Sequence, residues 1–424
     1  MKEIAKQPEL RPWHYGVFFL LTCVILVSRR PDAIFHAQLY AEDGNVWFAD
    51  AYNLGWWPSL FRTYAGYFEL LPRLGAALAL LAPLSLVPLL LNLIGIAFQA
   101  LPANLLLMAR SSALGSIRFR FLLACMYLVL PNCDEVSRGI TNAQWSLALS
   151  AFILLAARTP HSVAGRIFDI VIVLLCGLSG PFCMFLLPIA VFHAWGDRDY
   201  RRYSTVGILA GSCLIQSWAL LSLGPAARAH RALGASPELF GRILGSQVYL
   251  ATVLGSNGLA AKTSQLFMIG LICIAIGGTA WIVITTLKSP IAMKLFLFFS
   301  AGVFAAGLIN PFEWDHPTIP VWQVYAGLAG LRYWFYPTLA FAWSLLYGFR
   351  SHIAPVKLIS ATLLCLMCFG IIRNWHQPAY SETHFSESVK RFKAAPPGTV
   401  ITIPEYPQGW NMQLIKHPTN HIGG

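Results

Sequence analysis

Long apolar runs separated by short polar stretches dominate the chain. A membrane-crossing helix needs about 20 apolar residues. By that measure the runs at 13–28, 86–109, 119–132, 143–157, 166–179, 181–195, 204–223, 264–286, 292–309, 333–349 and 355–372 predict about eleven transmembrane helices. The third to sixth are short, which leaves their ends soft. The stretch 66–84, GYFELLPRLGAALALLAPL, has the composition of a further span but carries Glu69, Pro72 and Arg73 near its start. That placement suits a helix lying in the membrane interface.

Charge decides between the two readings of 66–84. Arg110, Arg118 and Arg120, Arg158 and Arg166, Arg198, Arg201 and Arg202, Lys288 and Lys294, and Arg350 and Lys357 all lie in short inter-helix segments. Basic residues in short loops mark the cytoplasmic side. All of these share that side, with the N-terminus, if 66–84 does not cross. The C-terminus is then extracytoplasmic, as are the long segments 29–85, 131–142, 224–263, 310–332 and 373–424. The domain organisation expected is a transmembrane module over 1–372 followed by a small extracytoplasmic cap over 373–424. Within the cap, a helix to about Lys393 and a strand at 400–403 are expected, and Pro396 and Pro397 break the stretch between them.

Composition supports an all-α polytopic membrane protein. Of 424 residues, 57% are hydrophobic and 11% charged, against about 25% charged in soluble domains. A β-barrel would show weak alternating segments instead of long runs. The net charge of +12 is not read as a nucleic-acid footprint, because the basic residues sit where orientation signals and lipid headgroup contacts belong. The first apolar run lacks a small-residue cleavage site, so an uncleaved first helix is expected. The nine cysteines show neither a disulfide framework nor metal-type spacing.

The candidate chemistry lies in the long segments. LYAEDGNVWFADAYNLGW (39–56) sets Glu42 and Asp43 side by side among aromatics, just after the first helix. Such a pair caps a helix starting near Asn45, or supplies a general base to an acceptor hydroxyl. LPNCDEVSRGITNAQWSLAL (130–149) leads into the fourth span, and GLRYWFYPTLAF (330–341) opens a late one with an Arg-Tyr pair.

These three segments and the layout around them resemble the GT-C glycosyltransferases, polytopic enzymes that take a sugar from a polyprenyl-phosphate donor outside the membrane. The resemblance implies a GT-C-like fold with interfacial helices in the first extracytoplasmic loop, in a bacterial inner membrane. It also implies transfer to a cell-envelope glycan or lipid-linked acceptor, with inversion at the anomeric carbon. A first-loop carboxylate acts as base in that family, and the matching positions here are Asp43, taken as the base, and Glu42, taken as its assistant.

The donor phosphate calls for cations. Arg332 with Tyr333, Arg73 and Arg138 are the candidates, since the planar guanidinium fork suits phosphate. Each has a plainer explanation: Arg332 snorkelling to headgroups, Arg73 pairing with Glu69 one turn away, Arg138 pairing with Asp134 or Glu135. Asn142, Gln144 and Trp145 could bind sugar or cap and anchor their helix. Glu313 and His316, beside Asp315 in NPFEWDHPTIP, are further acceptor-binding candidates or parts of a structured loop. No metal and no cofactor are expected, and no nucleotide site, for there is no G-x-x-x-x-G-K-[ST] loop. The expected partners are the bilayer, the lipid-linked donor and the acceptor. The alternative is a transporter or flippase for a lipid-linked sugar, suggested by Asp169 within an apolar run and by the break at Gly180-Pro181.

Overall fold

A computed structural model describes residues 11–197, 199–222, 232–255, 265–311, 318–328 and 330–418. Each of the eleven apolar runs folds as a helix. Among the described residues, six helices have the length and hydropathy to cross a membrane, and the chain is an integral membrane protein. These six are α1 (Pro12–Arg29), α3 (Val87–Leu107), α8 (Tyr203–Ser222), α9 (Gln265–Leu287), α10 (Ile291–Ile309) and α12 (Ala354–Arg373). The other five, α4 (Ile117–Leu128), α5 (Ala143–Ala156), α6 (Val163–Gly177), α7 (Cys183–Asp197) and α11 (Phe335–Phe349), are 12 to 15 residues long. α5 and α11 are buried along nearly their whole length. Their polar tips therefore need internal partners: the Tyr336 hydroxyl donates to the Trp145 carbonyl (2.6 Å), and Trp343 Nε1–H to the Leu123 carbonyl (3.1 Å).

The helix ends sort into two faces. On one, the Arg29 guanidinium donates to the Leu128 (2.8 Å) and Leu130 (3.0 Å) carbonyls, and the Asn92 amide of α3 reaches the Ala33 carbonyl (2.9 Å). The ends of α1 and α4 and the start of α3 therefore lie together. On the other face Arg110 pairs with Asp169, and the Tyr347 hydroxyl at the end of α11 reaches the Leu114 carbonyl. The short basic loops gather on this second face, and the described parts of the long segments on the first.

Several arginines of the short loops do more than mark that face. Arg202 is buried and donates to the Leu155 (2.8 Å) and Ala157 (2.9 Å) carbonyls, at the end of α5. Arg120, also buried, donates to the carbonyls of Leu106 and Met108 at the end of α3. The last carbonyls of a helix have no partner within it and form the negative end of its dipole, so a guanidinium satisfies both needs.

The first long segment stays on its face. It holds short helices at Asp32–Phe35, Ala49–Leu54 and Trp56–Leu60, a π-helical turn at Asp43–Phe48, and a hairpin of β1 (Thr63–Tyr64) and β2 (Tyr67–Phe68). Then comes α2 (Leu70–Ala79), ten residues and so about 15 Å long. The segment read as a loop at 224–263 differs from expectation. Within its described part, residues 237–254 are helical and packed on α9, with the Tyr249 hydroxyl against that of Thr279. Ser246 and Gln247 interrupt its apolar run, which is why the run does not read as a span.

The tail forms α13 (Phe385–Ala394) and a hairpin of β3 (Val400–Glu405) and β4 (Trp410–Ile415). It folds back onto the first segment. Backbone hydrogen bonds join Ala41 N–H to the Tyr406 carbonyl and Tyr406 N–H to the Leu39 carbonyl. The Asn53 side chain bonds the backbone of both Gln413 (2.8 Å) and Ile415 (2.9 Å).

Candidate active site

Where these long segments meet lies a cavity of about 280 Å³. Four of the five long segments supply its wall, all but 224–263: Glu42, Trp47, Tyr64 and, at the start of α2, Glu69 from the first, Glu135 and Arg138 from the loop before α5, Arg332 from the turn before α11, and Pro407 and Trp410 from the tail.

The two neighbouring acids part company here. Glu42 is partly exposed and lines the cavity, with the Tyr64 hydroxyl donating to its Oε1 (3.2 Å). Burial raises its pKa, and the positive charge of Arg332 is the main counterweight. Asp43 is fully buried and turns away. Its carboxylate accepts from Ile140 N–H (3.3 Å), Thr141 N–H (3.0 Å) and the Thr141 hydroxyl (2.7 Å). Neither acid caps the turn it opens; the bonds of Asp43 reach across about a hundred residues of sequence to the loop before α5. Burial pushes Asp43 up to about 7, against the pull of the Thr141 bonds. The same Thr141 hydroxyl accepts from Trp47 Nε1–H (2.7 Å), so Asp43 fixes the indole that walls the cavity.

Gly139 makes this joint possible. It holds φ +59°, and a Cβ there would lie 2.9 Å from the Asp43 Cγ. Gly139→Ala is expected to cost on the order of 2 kcal/mol through left-handed strain and this clash, read as a fall in unfolding temperature of several degrees.

The arginines also separate. Arg73 is buried away from the cavity, ion-paired with Asp50 (3.1 Å) and lying 5.0 Å from the Trp47 ring. It pairs with neither Glu69 nor a ligand-facing surface, because the first segment brings Asp50 under α2. Arg332 lines the cavity but is bound to Glu135 through both its backbone N–H (2.7 Å) and its guanidinium. Tyr333 is buried behind it, its ring 5.0 Å from that guanidinium. Arg138 lines the cavity with its guanidinium over the Tyr40 ring (5.8 Å) and enters no ion pair among the described residues. Asn142 and Gln144 reach the cavity. Trp145 does not; its ring packs among Phe182, Tyr333 and Tyr336. Glu313 and His316 lie outside the described residues.

Three acids that the sequence offered only as ion-pair partners or as the polar start of a helix line the same space. Glu69 is buried, with its Oε2 unpartnered and its pKa held well above the carboxylate range by burial. Asp134 and Glu135 line it as well. Their signal was present as adjacent acids in the segment 130–149. Among the described residues, no group of three or more His, Cys, Asp and Glu side chains is placed to hold a metal ion.

No family model matches the chain, and no curated protein sequence does. Among solved structures it is similar to the oligosaccharyltransferase of Archaeoglobus fulgidus in complex with Zn and sulfate. The identity is 13%, 90% of this chain and 56% of that one are covered, and the TM-score is 0.44. It is also similar to AglB from the same organism in complex with an inhibitory peptide and a dolichol-phosphate, with 12% identity, 91% and 58% coverage, and a TM-score of 0.42. The chain spans little more than half the length of these proteins.

Proposed function

We propose that this protein is a glycosyltransferase that moves a sugar from a polyprenyl-phosphate donor to a cell-envelope glycan or lipid-linked acceptor. On this reading all eleven apolar helices cross a bacterial plasma membrane, with the cavity face outside. One observation supports it above the rest: a reachable carboxylate, Glu42, shares a cavity with a guanidinium, Arg138, that forms no ion pair among the described residues. Glu42 takes the proton of the acceptor hydroxyl. The freed oxygen pair attacks the anomeric carbon, and the bond from that carbon to the phosphate oxygen breaks. The electron pair leaves on polyprenyl phosphate, where Arg138 meets the developing charge. Burial makes Glu42 a stronger base than a free carboxylate, the direction such a step needs. Asn142 and Gln144 offer amides to sugar hydroxyls.

The test uses the purified full chain with a panel of polyprenyl-phosphate-linked sugars and envelope glycan acceptors. Release of polyprenyl phosphate coupled to a longer acceptor is the expected result. Movement of the intact lipid-linked sugar across sealed vesicles without covalent change overturns the reading. Arg138→Ala is expected to weaken donor binding about tenfold or more, the loss of one charge-assisted contact, and to raise the donor KM more than it lowers kcat. Orientation is tested at two exposed positions, Asn45 and Ser116. Cysteine at the first is expected to label only from outside, and at the second only from inside.

A further inference from the structure

On the basic face, opposite the carboxylate cavity, a second cavity of about 460 Å³ opens between α5, α6 and the turn leading into α8. Its floor is apolar, with Leu154 and Leu155 from α5 and Ile170 and Val173 from α6. Its rim is basic. Most of the charged groups there are already committed. Asp169 accepts from both guanidinium nitrogens of Arg110, and Arg202 is spent on the carbonyls ending α5. Asp199, which faces Arg201 and Arg202, is held by the Thr159 hydroxyl and by Arg201 N–H (3.0 Å). Two rim cations, Arg166 and Arg201, enter no ion pair among the described residues, and the Arg201 Nε is buried without a partner.

The apolar surface continues beyond the cavity. Val163, Ile167, Val171 and Leu174 of α6 are 40–63% exposed, and their spacing places them along one stripe of the helix. The stripe runs from the basic rim toward the middle of the molecule. Two guanidiniums that form no ion pair among the described residues, Arg201 lying over the Tyr200 ring (5.7 Å), stand at the head of an apolar stripe on a membrane helix, and this matches a molecule with an anionic head and a hydrocarbon chain.

We infer that this groove binds an anionic phospholipid, its phosphate between Arg166 and Arg201 and an acyl chain along the exposed stripe of α6. A zwitterionic lipid carries a compensating ammonium that would meet the same arginines, so the groove selects for net negative charge. This site is independent of the reaction proposed at the other face.

The full chain in neutral detergent is titrated with dioleoyl phosphatidylglycerol, dioleoyl phosphatidylcholine and inorganic phosphate, with bound mass and unfolding temperature recorded. The expected result is a retained phosphatidylglycerol adduct and a raised unfolding temperature. The double variant Arg166→Ala/Arg201→Ala is expected to bind it about tenfold more weakly, the loss of about 1.4 kcal/mol, while Arg118→Ala, exposed on the same face, binds as the parent does. Ile170→Trp, which fills the groove without touching charge, is expected to weaken binding as well, and it decides the matter if the double variant does not fold. Equal retention of phosphatidylcholine overturns the inference. So does an equal loss in Arg118→Ala, which would mean diffuse surface charge, or full stabilisation by inorganic phosphate alone.

Discussion

Glu42→Gln is expected to lower turnover by about 10²–10⁴-fold, the usual contribution of a general base, with the unfolding temperature nearly unchanged. The amide keeps an oxygen for the Tyr64 hydroxyl and keeps the volume, so the cavity stays shaped and donor lipid still binds. What is lost is a group able to accept a proton. The pH profile separates this from a structural defect. Activity that needs ionised Glu42 rises with pH through a pKa above the usual glutamate value, since burial raises it, and that rising limb disappears in the amide. Asp43→Asn is expected to behave differently. Its single carbonyl oxygen cannot serve all three donors from Ile140 and Thr141, and an unsatisfied buried donor costs about 1–3 kcal/mol. The protein should lose stability and part of its activity while keeping the rising limb. A variant pair in which Asp43→Asn removes the limb and Glu42→Gln preserves it would exchange the two roles.

The contrast between these neighbours marks how far the sequence could be read. The apolar runs and the basic loops were legible because hydropathy and charge act locally. Which way Glu42 and Asp43 point was not. Adjacent residues in a helical turn face different ways, and the turn's rotation is set by Thr141, nearly a hundred residues away. The same holds for Arg73, claimed by Asp50, and for Arg332, claimed by Glu135. Residue type announced a cation in each case, and the partner was fixed only by packing. The tail's share in the cavity was illegible altogether, for Pro407 and Trp410 meet a segment more than 350 positions earlier.

That tail contact leads to the second large effect: the C-terminal hairpin is expected to loosen as pH rises from about 5 to about 9. Glu405, the last residue of β3, is 2% exposed, and neither of its oxygens has a hydrogen-bond partner. It lies against Gly44, where a Cβ would collide with its carboxyl group. Burial comes first and Asp43 second in raising its pKa to about 9; Glu42 adds to the rise, and the nearby Gly44 and Asn45 amides oppose it. An acid whose folded pKa is raised keeps its proton while the unfolded chain loses one, so stability falls as pH climbs above the unfolded value near 4.5 and levels off above about 9. Asp43 adds in the same direction between 3.8 and about 7. Trypsin cleavage at Lys393, exposed at the end of α13, should therefore quicken with pH beyond the protease's own pH dependence, calibrated on an unfolded peptide. Glu405→Gln, neutral throughout, is expected to flatten most of that rise and to leave the hairpin docked at pH 8. A hairpin equally protected at pH 5 and pH 9 in the parent would mean that Glu405 keeps its charge where it lies. Burial beside a neighbouring acid outweighs the pull of the Gly44 and Asn45 amides and argues that it does not.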